Sequence, residues 1–518
     1  MDILLNRLIF VGTVLLCVAR VQPGFAEHPA IQGAVREYRA AHEREIISEF
    51  VRLLSIPNHA FDALGIEQNA QFIVKMLESR GVKVRLLRSG GAPALVYGEL
   101  LCAANGPTIG IYAHYDGQPV DSAEWRDPPF APTVGSATGQ RIDWLSQSHY
   151  DPEFRVYARS ASDDKAPIEA IVAALDALRS VSATPSINLK FLFEGEEEVN
   201  SPHLSDILRQ DPETLQADAW LVSDGPVHQS RRMQVYFGVR GEIDVDMTVY
   251  GPARPLHSGH YGNWAPNPII LLTHLIDSMR DTDARILIPR FYDDVRPLTA
   301  VERQALKSTP APDEELKYDL AIENPEGDGA LLAEQILKPA INVHGIEAGH
   351  VGVKAANIIS TEARASFDFR LVPNQTPDKV QSQVEEYLTD QGFFVVHRSP
   401  DVATRREHPR VVKLEWRAGY PAYRTSMENP FAQAIVQEIE KASGGPVVKI
   451  VSMGAAIPMQ VFEGKHGVPV IGVPIANHDN NQHAADENLR LENLWDAIEM
   501  YAVIFAELGN DRSGSLGP

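Results

Sequence analysis

Cysteine is nearly absent from this chain of 518 residues, which contains only Cys17 and Cys102. Cys17 lies in an N-terminal segment that we expect to be removed, so the mature chain would keep Cys102 alone. A single cysteine cannot form an internal disulfide, which excludes that source of stability. The fold must therefore be held by a packed core and by any metal that it binds.

Positively charged residues are also fewer than negatively charged ones. The chain has 47 lysine and arginine residues against 69 aspartate and glutamate residues, for a formal net charge of −22 at pH 7. A strongly acidic protein repels phosphate backbones and anionic lipid head groups. We therefore expect neither nucleic acid nor an anionic membrane surface as a partner.

Near the N-terminus, the apolar region from Leu8 to Ala19 is too short to span a membrane. It holds twelve residues, whereas a helix that crosses hydrocarbon needs about 20. The positive Arg7 precedes this region, and Gly24-Phe25-Ala26 follows it as a small-x-small cleavage site. The pattern predicts a signal peptide over residues 1–26, export to a periplasm or the cell exterior, and no stable membrane span after cleavage.

The length of the chain predicts more than one domain. A single hydrophobic core rarely serves so many residues, and the composition, with 44% hydrophobic and 22% charged residues, is that of a globular enzyme. Helix and strand patterns alternate over residues 27–238 and again over residues 424–518. This alternation predicts one α/β domain with a mixed, mostly parallel sheet flanked by helices.

Residues 239–423 show a different pattern and predict an inserted domain. Gly241 to Val249 alternates as an antiparallel strand does, and Asn357 to Leu371 is typical of a long strand. Helical patterns cover residues 268–279 and 376–390. Strands with one polar face combined with two helices favour a small α+β sandwich.

Carboxylates crowd into the stretch FLFEGEEEVNS, directly after an apolar strand pattern. Taken alone, the glutamates at 194, 196, 197 and 198 are more typical of a solvated acidic loop than of a metal site. Other candidate ligands change that balance, because they also lie just past strand ends or at a helix start: His114, Asp163, Asp224 and His483. In open α/β sheets, bound molecules and ions lie at the edge formed by the carboxyl ends of the strands.

The chemistry of this set suits divalent metal ions. Imidazole and carboxylate ligands together fit Zn²⁺, and also Mn²⁺ or Co²⁺. Two ions that act together need a shared carboxylate, separate ligands for each ion and a water as nucleophile. A further carboxylate must stay off the metals to accept the proton of that water. The inventory is sufficient for such a site.

Five motifs carry a resemblance to a known family: HYDGQ, RSASDDK, EGEEEVNS, VSDGP and NNQHAADEN. They resemble the motifs of the dizinc exopeptidases and deacylases, which include carnosinase, succinyl-diaminopimelate desuccinylase, aminoacylase and glutamate carboxypeptidase. The resemblance covers essentially the whole mature chain and implies two Zn²⁺ per subunit. His114 and Asp224 would hold one ion, Glu198 and His483 the other, and Asp163 would bridge them.

The same resemblance implies roles for the residues around the ions. Glu197 would be the general base, and Asp116 would orient the imidazole of His114. The peptide bond between Asp163 and Asp164 would be cis. Glu194 and Glu196 would be structural or solvated.

For residues 239–423, the resemblance implies a ferredoxin-like lid and dimerisation domain. Leu256-His257-Ser258-Gly259 is similar to the lid motif whose histidine stabilises the oxyanion, and in dimeric relatives that histidine comes from the partner subunit. A homodimer through the lid is therefore expected. Asn357 matches a family asparagine, and Arg370 would bind a substrate carboxylate, although a structural ion pair within the lid explains this arginine equally well.

One turn departs from the family pattern. Where carnosinase-like relatives have Gly-Gly-Ser-Ile-Pro, this chain has Gly454-Ala455-Ala456-Ile457-Pro458. Gly454 is still expected to contact substrate, but the missing hydroxyl puts the carnosinase-type carboxylate pocket in doubt.

The sequence thus predicts an exported dinuclear-metal amidohydrolase that cleaves dipeptides or the C-terminal residue of short peptides. An N-acyl-amino-acid deacylase is the alternative within the same chemistry. A metal-bound binding protein without catalytic activity is the alternative from another class.

Overall fold

The computed structural model of the protein describes residues 28–104, 106–463 and 467–510. The predicted signal peptide over residues 1–26 lies outside the described residues. Within the described ranges, no helix combines the length and the apolar character that a membrane crossing requires.

Helices and strands alternate along most of the chain. The helices are α1 (His28–Ala41), α2 (Glu43–Leu54), α3 (Ala63–Glu78), α4 (Lys165–Ser180), α5 (Leu204–Gln210), α6 (Ser258–Tyr261), α7 (Pro268–Met279), α8 (Ala300–Ser308), α9 (Asp313–Asp319), α10 (Leu332–Gln335), α11 (Pro377–Asp390), α12 (Val402–Glu407), α13 (Pro430–Ser443) and α14 (Leu491–Glu507). The strands are β1 (Lys83–Leu87), β2 (Leu95–Leu100), β3 (Thr108–His114), β4 (Thr133–Gly135), β5 (Arg155–Tyr157), β6 (Asn188–Glu194), β7 (Ala219–Val222), β8 (Gln234–Tyr236), β9 (Gly238–Tyr250), β10 (Leu256–His257), β11 (Ala340–Glu347), β12 (Ile358–Ile359), β13 (Glu362–Leu371), β14 (Phe394–Val396), β15 (Val411–Trp416), β16 (Tyr423–Arg424), β17 (Val448–Ile450), β18 (Met453–Ala456), β19 (Val470–Gly472) and β20 (Asn488–Arg490).

The larger sheet has eight strands in the order β1-β2-β6-β3-β7-β19-β8-β17. Its centre is parallel, since β3 pairs in parallel with both β6 and β7, and β7 with β19. β1 and β2 form an antiparallel edge. The predicted α/β domain with a mixed sheet flanked by helices is confirmed.

Helices α4 and α14 form the centre of the layer on one face of this sheet. α4 packs against α1, α2, α14 and β3. The pattern from Ile168 to Leu178 predicted one apolar stripe, yet α4 is buried on nearly every side, because other helices cover the face that turns away from the sheet. This layer fixes the position of the α4 N-terminus, which directly follows Asp163 and Asp164.

The second sheet has the order β11-β13-β9-β15-β14 and belongs to the inserted α+β domain. Helices α7 and α11 cover one of its faces, where Leu272, Val384 and Val245 share a hydrophobic core. The single long strand predicted over residues 357–371 is wrong in detail. The structure divides it into β12 and β13, and β12 pairs with β10 rather than with the main path of the sheet.

Strand β9 begins two residues after the end of β8, which is a strand of the larger sheet, and continues into the second sheet. Its first residues pair with β16 and β18, whereas Gly241 to Tyr250 pairs with β13. The chain therefore passes from the larger sheet directly into the inserted domain.

Candidate active site

The parallel strands bring the candidate residues to one edge of the larger sheet. β3 ends at His114 and β6 ends at Glu194, three residues before Glu197, while Asp224 follows the end of β7 by two residues. Because these three strands are neighbours and run in the same direction, their carboxyl ends lie side by side. Asp163 reaches the same place from the start of α4.

The Asp163 carboxylate lies between two histidines. Its Oδ1 is 2.9 Å from Nε2 of His114, and its Oδ2 is 3.0 Å from Nε2 of His483. Glu198 approaches from the side of His483, with 3.3 Å between its Oε2 and Nε2 of that histidine. His114 is fully buried, whereas the His483 side chain is 53% exposed. The site thus has an inner end and an end that is open to solvent.

Two groups of side chains have the spacing of metal ligands. One consists of His114, Glu197 and Asp224, and the other of His114, Asp163 and Glu198; within each group the ligand atoms lie within 4.8 Å of one another. Glu197, expected to be the general base, has its Oε2 4.0 Å from Nε2 of His114. The structure therefore places this carboxylate among the candidate ligands, and its role as the base stays a prediction.

Asp116 connects the two motifs that meet here. Its Oδ1 lies 3.4 Å from Nδ1 of His114. The same carboxylate accepts hydrogen bonds from the backbone N–H groups of Glu197 and Glu198, each at 3.1 Å. Asp116 is fully buried, so one side chain positions both the histidine and the two glutamates.

Burial and mutual repulsion act against the charged forms of the carboxylates in the site. Burial raises the pKa of Glu198 to about 8 and that of Asp224 to about 6, and the charge of Asp163 adds to both shifts. Burial also acts to raise the pKa of Asp163, but its hydrogen bonds to His114 and His483 hold it well below its usual range. Divalent cations would relieve this repulsion, and the nitrogen and oxygen donors fit two such ions.

The lid residues lie on a different element. His257 is exposed at the end of β10, and its Nδ1 accepts a hydrogen bond of 3.0 Å from the Gly259 N–H. The Asn357 carbonyl accepts one of 2.8 Å from the N–H of Ser258, so the two predicted residues are neighbours. In the described part of the chain, no hydrogen bond or ion pair joins His257 or Asn357 to the metal-ligand groups. Their roles stay predictions.

Arg370 and Gly454 have identifiable surroundings. Nε of Arg370 lies 2.9 Å from Oδ1 of Asp368, and its guanidinium also pairs with Glu242. These contacts match the ion-pair alternative for this arginine. Gly454 lies on β18 next to Met453, whose Cε packs beside Gly225, the residue after Asp224. The turn therefore adjoins the site, and substrate contact by either residue stays a prediction.

Several residues of the site were not singled out in the sequence. Nε2 of Gln482 donates to Oδ2 of Asp163 at 2.7 Å, and the buried Glu487 holds the loop before Asp163. Both belong to the motif NNQHAADEN, where only the histidine stood out as a ligand.

Glu194 is buried and accepts a hydrogen bond from the Tyr112 hydroxyl, while Glu196 accepts one from the His203 N–H. The peptide bond between Asp163 and Asp164 is cis.

Comparison with known proteins identifies the family of this chain. The sequence pattern of peptidase family M20/M25/M40 matches residues 110–507. The chain belongs to peptidase family M20/M25/M40. It is therefore an enzyme of the metallopeptidase class, and the resemblance seen in its motifs is confirmed.

Members of the M20 family resemble this chain over most of its length. The Cys-Gly metallodipeptidase dug1 of Schizosaccharomyces pombe is 26% identical over 487 residues, which cover 90% of this chain and 96% of that protein. The Beta-Ala-His dipeptidase of Mus musculus is 24% identical and aligns over 82% of each chain. The crystal structure of the M20 metallo-carboxypeptidase Sso-CP2 from Sulfolobus solfataricus superposes with a TM-score of 0.74 at 28% identity, covering 90% of this chain and 99% of that chain.

Proposed function

We propose that the protein is a metal-dependent dipeptidase with two Zn²⁺ per subunit. The observation that carries this proposal is the Asp163 carboxylate lying between His114 and His483, with Glu197 beside it. A carboxylate shared between two imidazoles is the arrangement that a bridged pair of ions requires. The relatives named above supply the substrate class, because two of them are dipeptidases.

The bound ions would polarise the scissile carbonyl and lower the pKa of a water molecule at the site. Glu197 would accept the proton of that water and pass it to the leaving amine. Burial raises the pKa of Glu197 well above its usual range, although the nearby His114 opposes the shift. A carboxylate in such surroundings gains stability when it takes up a proton, which suits a general base.

His257 would donate a hydrogen bond to the oxyanion of the tetrahedral intermediate. Because this histidine is exposed on the lid domain, the proposal includes a homodimer in which a partner lid supplies it. Exposed apolar side chains support an interface on this domain: Trp264 is 79% exposed, Ile346 63% and Val351 90%. We propose that a partner lid covers these side chains.

The substitution Glu197→Gln tests the central step. It keeps the size and shape of the side chain but removes the base, so we expect two ions to remain bound while kcat falls about 10²- to 10⁴-fold. Hydrolysis of Cys-Gly, β-Ala-His and a panel of N-acyl amino acids by the zinc-loaded protein would be followed by mass spectrometry. Faster turnover of the dipeptides supports the proposal, whereas faster turnover of the acylated substrates favours the deacylase.

The neighbouring Glu196→Gln is a matched control. Glu196 is 4% exposed and bonds to His203 instead of the ligand groups, so kcat should stay within a few-fold of the wild-type value. A Glu197→Gln variant with nearly wild-type kcat would refute the base assignment. No hydrolysis of any amide, with both ions bound, would instead favour a binding protein without activity.

Export is a further part of the proposal and rests on the sequence of residues 1–26. Expression of the full chain in a secreting bacterial host should yield a mature protein whose N-terminus follows Ala26. Edman sequencing of the exported fraction would check this, and a cytoplasmic protein that keeps Met1 would contradict it.

A further inference from the structure

Glu487 is a buried carboxylate that gathers five hydrogen bonds from the loop leading to Asp163. Its side chain has no exposed surface. Oε2 accepts from Nη1 of Arg159 at 2.8 Å and from the Ser160 N–H at 2.9 Å. Oε1 accepts from the N–H and the hydroxyl of Ser162, at 2.9 and 2.8 Å, and from the Asp163 N–H at 3.0 Å. Four of the five donors thus come from Ser160, Ser162 and Asp163.

The backbone of this loop needs such an acceptor. Ser160 has a φ of 62°, in the left-handed region, and the loop turns so that three N–H groups point to one place. Buried N–H groups without an acceptor are strongly unfavourable, and a carboxylate is the acceptor that forms the strongest bonds with them. Glu487 therefore stabilises the one loop conformation that presents Asp163 to the histidines.

The same turn carries a predicted metal ligand. His483 precedes Glu487 by four residues, and its Nε2 lies 3.0 Å from the carboxylate of Asp163. Asn58 extends the connection to the other histidine, because its Nδ2 donates to Oγ of Ser160 and to the Tyr115 carbonyl, both at 2.8 Å. Tyr115 directly follows His114. The loop of Asp163 is thus attached to the segments of both histidines.

We propose that Glu487 is a positioning residue for both metal ions. It acts by holding the Asp163 backbone, so that one carboxylate can serve both ions. This inference rests on the proposed dinuclear site. It adds that the two ions depend on a single buried side chain and should weaken together when that side chain changes.

Glu487→Gln is the decisive variant. Glutamine has the same shape, but its amide nitrogen cannot accept hydrogen bonds, so at least two of the five donors would face another donor. Zn²⁺ affinity would be measured by competition with a chromophoric chelator, and Co²⁺ occupancy from the absorption spectrum of the reconstituted protein. We expect both sites to weaken about 10- to 100-fold, as for other residues that support metal ligands. Added Zn²⁺ should restore most of the lost kcat.

Glu302→Gln is the matched control for loss of a buried carboxylate. Glu302 is buried too, with 2% of its side chain exposed; it lies 3.0 Å from Nε of Arg424 and accepts a 2.7 Å hydrogen bond from the Thr299 N–H. This control should lose stability while it keeps wild-type metal affinity. The inference is overturned if Glu487→Gln binds both ions as tightly as the wild type, or if the control loses affinity to the same degree. A wild-type protein that binds no pair of ions would overturn the proposed function as well.

Discussion

Among the single residues of the site, Asp116 links a predicted metal ligand to the predicted base. Its two oxygens accept from Glu197 and Glu198 while the carboxylate faces His114. In Asp116→Asn, one of the two N–H groups would face an amide nitrogen, and the imidazole would lose its negative partner. We expect Zn²⁺ affinity to fall about 10- to 100-fold, and kcat to fall even at saturating metal because the glutamates shift. Metal titration and steady-state kinetics on Cys-Gly would measure both effects.

Asp121→Asn provides the comparison. This exposed aspartate also accepts a backbone hydrogen bond, from Ala123 at 3.0 Å, but it belongs to a surface loop. The metal affinity and kcat of the Asp121→Asn variant should equal those of the wild type. An Asp116→Asn enzyme with the same two values would show that Asp116 has no positioning role.

Residues whose side chains are typical metal ligands could be predicted from the sequence. Residues that act only through their position in the folded chain could not. His114, Asp163 and Asp224 follow strand ends or begin a helix, so their convergence could be expected from the topology of α/β sheets. Glu487 stood in a recognised motif, but its partners are backbone N–H groups of a loop more than 300 residues earlier in the chain. No local pattern reveals such a contact, because it depends on how two distant loops fold against each other.

At the level of elements, strand β9 depends on a glycine near its start, where its pairing with β13 begins. A Cβ on Gly241 would lie 2.4 Å from the backbone nitrogen of Ala422 and 2.5 Å from the Tyr420 carbonyl oxygen. These are main-chain atoms of the segment that returns from the inserted domain, so they cannot move aside as a side chain can. We expect Gly241→Ala to destabilise the protein by about 1–3 kcal/mol. Denaturant unfolding and kcat would be measured together, since a displaced lid should also lower turnover.

Gly345→Ala is the control for this prediction. Gly345 lies in β11 of the same sheet, and a Cβ there would have no atom within 4 Å. This variant should unfold at nearly the same denaturant concentration as the wild type. If Gly241→Ala did the same, the two segments would not be closely packed in solution.

Helix α4 contains the buried carboxylate of Glu169, which makes the stability of the protein depend on pH. Glu169 is 1% exposed, and both of its oxygens lack a hydrogen-bond partner in the described structure. Burial raises the pKa of Glu169 well above the ordinary value of 4.5. As the pH rises above that value, the unfolded chain loses this proton while the folded chain keeps it, so the wild type loses stability.

Glu169→Gln removes this titration. The difference in melting temperature between the variant and the wild type should therefore grow in favour of the variant as the pH rises from 5 to 8. Differential scanning calorimetry at several pH values would measure it. A difference that stays constant over this range would contradict a protonated Glu169 in the folded state.

Whether a segment forms a helix or a strand was easier to predict than which elements pair with it or pack around it. The helix pattern over residues 268–279 coincides with α7, because a helix with a single buried face has a clear period. The strand pattern from Asn357 to Leu371 did not reveal the break at Ser360 and Thr361, since β12 pairs with β10 outside the main sheet. Burial of α4 on nearly all sides was equally hidden, because it comes from helices that lie far apart in the sequence.

On the scale of the whole molecule, the site is assembled from both sides of the inserted domain. His114, Asp163, Glu198 and Asp224 precede the insertion, and His483 follows it. His257 lies within the insertion, on an exposed element without a contact to the metal-ligand groups in the described structure. A complete oxyanion site would then need either a movement of the lid or a second subunit.

Mixing two inactive variants separates these possibilities. His257→Ala lacks the lid histidine, and Glu197→Gln lacks the base. If His257 acts on the partner's site, a heterodimer of the two variants contains one site with both residues intact, whereas neither chain has such a site alone. With random exchange of subunits, half of the dimers are mixed and half of their sites are complete, so about a quarter of wild-type activity should return.

Subunit exchange must be verified for this test, and separate affinity tags on the two variants allow the mixed dimer to be isolated. A Val351→Asp substitution in both variants places a charge on the exposed apolar surface of the lid and should prevent the recovery without changing metal content. Activity that stays near zero in the isolated heterodimer would mean that His257 serves its own chain. The lid would then have to close over the site of the same subunit.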